Sequence, residues 1–183
     1  MTLRTALFAL LLSFLAGPAS AREITILDGV VVGVVDGDTA DVRLDSGMVR
    51  VRLHAIDTPE RGQAYGQAAR SALARLVFGK AIQLEPVEQD QYDRLVARLW
   101  IGDLDVNAEM IRLGYAWTYR GYAEDPAYCA YEDEARNLKR GLWASPPEQR
   151  VAPWEWRQRR TRDGRYTDYS TETVAACVAS LGN

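Results

Sequence analysis

Two acidic clusters, Asp36-Gly37-Asp38-Thr39 and Asp57-Thr58-Pro59-Glu60, bracket two strand-like runs. This arrangement limits the fold more than any other stretch. In the second run Val49, Val51 and Leu53 fall on one face of a strand, and Arg50, Arg52 and His54 on the other. Asp45-Ser46-Gly47 between the runs is a hairpin turn signal. A hairpin returns the chain to its start, so Asp38 and Asp57 are expected to meet, with Arg52 pointing out of the sheet close to both. Carboxylates beside a guanidinium at one end of a hairpin point to a metal and a phosphate.

The rest of the chain supplies a barrel around this hairpin. Residues 23–35, rich in Ile and Val, predict a long first strand, with Gly29 and Gly33 as candidates for a bulge. Strands are expected over 39–44, 48–56, 81–87 and 95–101. Ala69, Ala72, Leu73, Leu76 and Val77 give residues 68–78 a helical stripe. Asp105 and Asp125-Pro126 are caps for two more helices. The last of these is expected to carry Tyr131, Ala135, Leu138 and Leu142 on one face and to stop at Gly141. Five strands with three helices predict an α+β fold, a small five-stranded OB-fold β-barrel with helical cover and a less regular C-terminal tail. Such barrels commonly bind oligonucleotides.

The ends read differently. Arg4, the apolar run from Ala6 to Leu15 and Ala19-Ser20-Ala21 form a secretory leader cut after Ala21; a buried N-terminal helix is the alternative. The run is too short to span a bilayer stably, and no later stretch is long enough, so no stable membrane insertion is expected after cleavage. The expected division is leader 1–21, barrel domain 22–146 and extension 147–183, in an exported (periplasmic or extracellular) monomer. Losing Arg4 with the leader takes the formal net charge from −3 to −4, which is not the signature of a nucleic-acid coat protein. A local cationic site or a bound cation can still hold a polyanion. Cys129 and Cys177, the two cysteines, read as a disulfide in an exported chain, with two free thiols as the alternative.

Asp38, Asp57 and the Thr58 carbonyl offer hard oxygen ligands with no histidine or cysteine beside them, a set suited to calcium or magnesium rather than zinc. Arg52 and Arg94 are candidate phosphate clamps. Glu60, one proline from the metal cluster, could act as general base on a water. His54, the single histidine, reads as a structural or rim residue, because nothing nearby forms a nucleophile–base pair with it. Trp154 and Trp156, among arginines, could stack on bases or pack the tail onto the barrel.

Asp36-Gly37-Asp38-Thr39, then Val51-Arg52-Leu53 running to Ile56-Asp57-Thr58-Pro59-Glu60, then Tyr92-Asp93-Arg94, resembles the staphylococcal nuclease (thermonuclease) family over roughly Ile24 to Trp143. The resemblance implies an OB-fold enzyme that uses calcium to hydrolyse phosphodiester bonds of DNA and RNA to products ending in a 3′-phosphate. It implies that Asp38, Asp57 and the Thr58 carbonyl hold Ca²⁺. Arg52 and Arg94 would stabilise the five-coordinate phosphate, and Glu60 would activate water. Tyr92 and Tyr122 would lie near the nucleotide. Gln91 stands where the pattern has lysine, and Asp93 where it has glycine. The Trp154-Glu155-Trp156-Arg157 tail looks like an extension of bacterial secreted members, and the cysteine pair lies outside the core pattern. Two readings compete with a secreted nuclease: a non-catalytic OB-fold nucleic-acid-binding module, and a calcium-stabilised structural or carbohydrate-binding domain. The first would be expected to lack the acids or arginines, and the second would not need Arg52, Arg94 and Glu60 to converge.

Overall fold

β-Branched residues at alternate positions build a barrel wall, because each strand turns every second side chain inward. The computed structural model describes residues 25–158 and 166–182. The expected leader lies outside these residues, as do the start of the expected first strand and residues 159–165 of the tail. The wall strands are β1 (Leu27–Val34), β2 (Thr39–Leu44), β3 (Gly47–Leu53), β5 (Ala81–Gln89) and β6 (Leu95–Ile101). Between β3 and β5 lie the two-residue strand β4 (Ile56–Asp57) and helix α1 (Gly66–Val77). β1 pairs with β2 and β5, β2 with β3, and β5 with β6, all antiparallel. A parallel pairing of β3 with β6, Val51 opposite Leu95, closes the five strands into a barrel. Val31, Val42, Val51, Leu53, Leu84 and Leu99 fill it. This is the OB-type α+β architecture that the pattern predicts. The irregularity foreseen in the first strand falls between Val31 and Gly33.

The boundaries differ from the sequence reading where tertiary pairing intervenes. The third strand stops at Leu53 rather than continuing to Ile56. Ala55 takes a left-handed conformation, φ 64°, and the chain restarts as β4 on a new partner, β8 (Trp117–Thr118). Asp57 is therefore held between two layers instead of ending a hairpin strand. A short β7 (Leu104–Asp105) leads into α2 (Val106–Arg112), where the Asp105 side chain caps the Ala108 N–H at 3.0 Å as expected. Fully buried Asn107 accepts the Leu99 N–H and donates to the carbonyls of His54 and Ala97. It thereby ties α2 to the chain just past β3.

The last expected helix is shorter than its periodicity implied. α3 (Pro126–Asn137) is capped by Asp125 and ends before Lys139, whose φ is 51°. Leu138 is exposed, and Leu142 lies in a separate 3₁₀ turn. The tail adds α4 (Pro153–Gln158) and α5 (Val174–Ala179). A Cys129–Cys177 disulfide joins α5 to α3, the bridged alternative of the two readings. Beside it, fully buried Glu132 accepts Arg120 at 2.9 Å, Arg136 at 3.0 Å and the Thr118 N–H at 2.7 Å. Glu172, preceding α5, pairs with the same two arginines. These charges survive burial because each has a partner. Trp117, Trp143 and Ala152 form a second apolar cluster, with Trp154 and Tyr169 against it. Of the two readings of Trp154, packing is what the fold displays.

Candidate active site

The acidic turn between β1 and β2 is clamped against the segment after β4. Asp38 Oδ2 accepts the Thr58 N–H at 3.2 Å, and Oδ1 accepts the Thr39 hydroxyl at 3.0 Å. Asp36 accepts the Asp38 N–H at 3.1 Å. A Cβ on Gly37 would stand 2.7 Å from both Thr58 Oγ1 and Ala69 Cβ, so only glycine lets this turn seat against α1. The expected meeting of Asp38 and Asp57 is thus present, with Arg52 between them. Arg52 Nη2 lies 3.2 Å from Asp57 Oδ1 and 3.6 Å from Asp38 Oδ2. Its Nη1 donates to the carbonyls of Leu53 and Ile56, each at 3.2 Å. Arg52 is therefore a half-buried strut as well as a cation, not the exposed strand residue its alternation alone would indicate.

Glu60 follows on a loop folded tightly on itself. Its carbonyl accepts the Gln63 N–H at 2.8 Å, and its own N–H reaches Gln63 Oε1 at 3.1 Å. Gly66 opens α1 so close to this loop that a Cβ there would stand 1.9 Å from the Glu60 carbonyl oxygen. Arg94 comes from the loop joining β5 to β6. Asp90 Oδ1 accepts the N–H groups of Tyr92 and Arg94, and its Oδ2 takes Arg94 Nε at 2.7 Å. Asp93 has φ 59°, a left-handed conformation that aspartate tolerates better than most residues, at the position where the family pattern has glycine. The guanidinium pairs with Asp90, not with the adjacent Asp93.

Asp38, Asp57, Thr58, Arg52, Glu60 and Arg94 all line one pocket of about 390 Å³. Tyr92 and Tyr122 stand at its edge, both more than half exposed. Tyr119, 4.8 Å from the Tyr122 ring, joins them. His54 also faces the pocket, and its buried Nδ1 has no hydrogen-bond partner among the described residues. Burial, then the Arg98 charge, lowers the imidazole pKa.

Four site residues lie beyond the sequence reading: Asp36, Asp90, Tyr119 and Arg157. Arg157, on α4, forms a fork on Asp57, with Nη2 to Oδ2 at 2.8 Å and Nη1 to Oδ1 at 2.9 Å. Nη1 also reaches Glu60 Oε1 at 2.9 Å. The Trp/Arg composition marked this tail, but no local pattern could bring a residue 100 positions away onto Asp57.

The donor chemistry fits a hard divalent cation. Burial, reinforced by the charge of Asp38, raises Asp36 to about 6. Burial raises Asp57 to about 6 in spite of the two arginines beside it. Crowded buried carboxylates resist ionising together without positive charge nearby. Among the described residues no group of three His, Cys, Asp or Glu could hold a metal ion. Two carboxylates, a backbone carbonyl, water and substrate oxygens would have to share that task.

A barrel with acids and arginines gathered at one mouth defines the class, an enzyme suited to cleaving phosphodiesters. Comparison with known proteins places the chain within it. The family model described as "Staphylococcal nuclease homologue" matches residues 50–145. Protein ParB of Escherichia coli is 41% identical over 161 residues, covering 82% of this chain and 88% of that protein. A micrococcal nuclease of Shigella flexneri is 40% identical over 141 residues, covering 71% of this chain and 80% of its own. An uncharacterized endonuclease of Escherichia coli is 39% identical over 135 residues, covering 73% and 87%. The chain belongs to the staphylococcal nuclease family and is a nuclease, a hydrolase acting on nucleic acid.

Proposed function

We propose that the protein is an exported, calcium-dependent nuclease that hydrolyses DNA and RNA to 3′-phosphate products. The observation that carries this reading is the convergence of Asp38, Asp57, Arg52, Glu60 and Arg94 on one pocket. Asp38, Asp57 and the Thr58 carbonyl would hold the calcium ion, which would supply positive charge to offset that of the phosphate. Glu60 accepts a proton from the attacking water. The hydroxide oxygen bonds to phosphorus in line with the O5′ leaving group, and Arg52 and Arg94 stabilise the negative charge of the five-coordinate state. The P–O5′ bond breaks, O5′ takes a proton, and the phosphate stays on O3′. Tyr92, Tyr119 and Tyr122 offer ring faces to unstacked bases, which tolerates varied sequence.

Export rests on the leader and on the Cys129–Cys177 disulfide, which persists in oxidising compartments. No described helix is long and apolar enough to cross a membrane. The protein is proposed to act as a monomer. Digestion of plasmid DNA and of RNA with calcium, with magnesium and with chelator, followed by end-group analysis, tests the reading. Calcium-dependent cleavage to 3′-phosphates is expected. Undiminished cleavage in excess chelator would discard the metal assignment, and 5′-phosphate ends would discard O5′ as the leaving group.

A further inference from the structure

Both oxygens of Asp57 are committed to guanidinium groups. Oδ2 accepts Arg157, and Oδ1 accepts Arg157 and Arg52. The same Arg157 nitrogen that touches Asp57 Oδ1 touches Glu60. One side chain from the C-terminal extension therefore occupies both the acid assigned to the metal and the acid assigned to the water. Its anchor is firm. Trp154, three residues earlier, stacks on Tyr119 at 5.9 Å and 12° and meets Trp117 and Tyr169 edge-on. Gln63 donates to the Val151 carbonyl, so the loop carrying Glu60 and the start of α4 are tied together. The long Arg157 side chain can change partner while its backbone stays.

We propose that Arg157 is a resident cation that competes with the divalent ion for Asp57 and, once displaced, binds a phosphate of the nucleic-acid strand. The inference rests on the metal assignment above. A divalent ion at Asp57 needs at least one of the oxygens that Arg157 holds, and two cations repel at that distance. The displaced guanidinium keeps its place on the pocket wall with Arg52 and Arg94, and a phosphodiester presents it with oxygens spaced much like a carboxylate's. Metal entry would thus turn a third arginine from enzyme acids to substrate, and metal and strand would favour each other's binding.

The test is calorimetric titration of calcium into the full-length protein and its Arg157→Gln variant, with melting temperature followed in parallel. The fork is charge-assisted and half-exposed, so its removal should tighten calcium binding about tenfold. The calcium-induced rise in melting temperature should be larger in the variant, because its metal-free acids lack their counter-charge. Arg157→Lys, which keeps the charge and loses the fork, should fall between. With calcium saturating, KM for single-stranded DNA should rise by about tenfold in Arg157→Gln, more than kcat falls. Equal or weaker calcium binding in Arg157→Gln would overturn the competition, and an unchanged KM would overturn the transfer to phosphate. Failure of both proteins to bind calcium would instead remove the metal assignment, and the competition with it.

Discussion

The site has two walls of unlike construction. One is built by the barrel: Asp38, Arg52 and Asp57 lie on or beside paired strands, half-buried or buried, the side chains of Asp38 and Arg52 held by backbone groups and the main chain of Asp57 by the β4–β8 pairing. The other is built by loops and tail: Glu60, Arg94 and Arg157 are more exposed and are held by side-chain partners from neighbouring loops. Residues of the first wall support the fold and the chemistry together. Glu60 and Arg94 should be separable, because removing either leaves no buried group unpaired, whereas Arg157 is itself a partner of buried Asp57.

The sharpest test of that contrast pairs Arg52→Ala with Arg94→Ala. Both should lower turnover by about 100-fold to 1,000-fold, as loss of a transition-state donor does. Only Arg52→Ala should also lower the unfolding free energy, since it takes a donor from the carbonyls of Leu53 and Ile56 and a counter-charge from two buried aspartates. Urea melts beside steady-state kinetics would separate them, and equal stability losses would erase the distinction. Near-full activity of Arg94→Ala would take Arg94 out of the site altogether.

The tail wall depends on a distant anchor. Glu132→Ala takes from Arg120 and Arg136 the fully buried one of the two carboxylates they share, and should cost about 3–5 kcal/mol in chemical denaturation, as breaking a buried pair does. Reduction of the Cys129–Cys177 bridge, with its 48-residue separation, should cost up to about 4 kcal/mol by chain entropy. An unchanged melt after verified reduction would mean the tail is held without it.

Gly66→Ala probes the seam between the walls. Its Cβ would overlap the Glu60 carbonyl, so a loss of about 1–3 kcal/mol from overpacking is expected. Activity should fall with it as Glu60 is moved; full activity at reduced stability would show that α1 shifts instead of the Glu60 loop. The smallest effect belongs to His54. Its pKa is lowered on folding, so the unfolded chain binds more protons, and stability should decline as pH falls below about 6.5. His54→Gln should remove that component of the slope, and NMR titration of the imidazole should report a pKa below the ordinary histidine value.

Most of the barrel wall was legible in the residues. Period-two valines located the strands, Asp105 and Asp125 announced helix starts, and the hairpin logic brought Asp38 to Asp57. α3 misled, because Leu138 and Leu142 keep the helical period although the chain leaves the helix before Lys139. Its true end is fixed by close contact between Gly114 and Gly141, where a Cβ on either would lie 2.3 Å from a backbone oxygen. Asp90 as the partner of Arg94 escaped notice for the opposite reason. It is a near neighbour whose role shows only once the loop geometry points its carboxylate at the guanidinium.

The residues by themselves determined which segments become strands and helices, and which acids and arginines are available, because alternation, caps and turn chemistry act over a few neighbouring positions. Packing alone decided that β3 meets β6 in parallel, that β8 receives β4, and that Arg157 crosses 100 positions to reach Asp57. Those contacts form only after many separate apolar faces have been buried together. Their partners are selected by the shape and charge of the assembled surfaces, which no short stretch of chain contains.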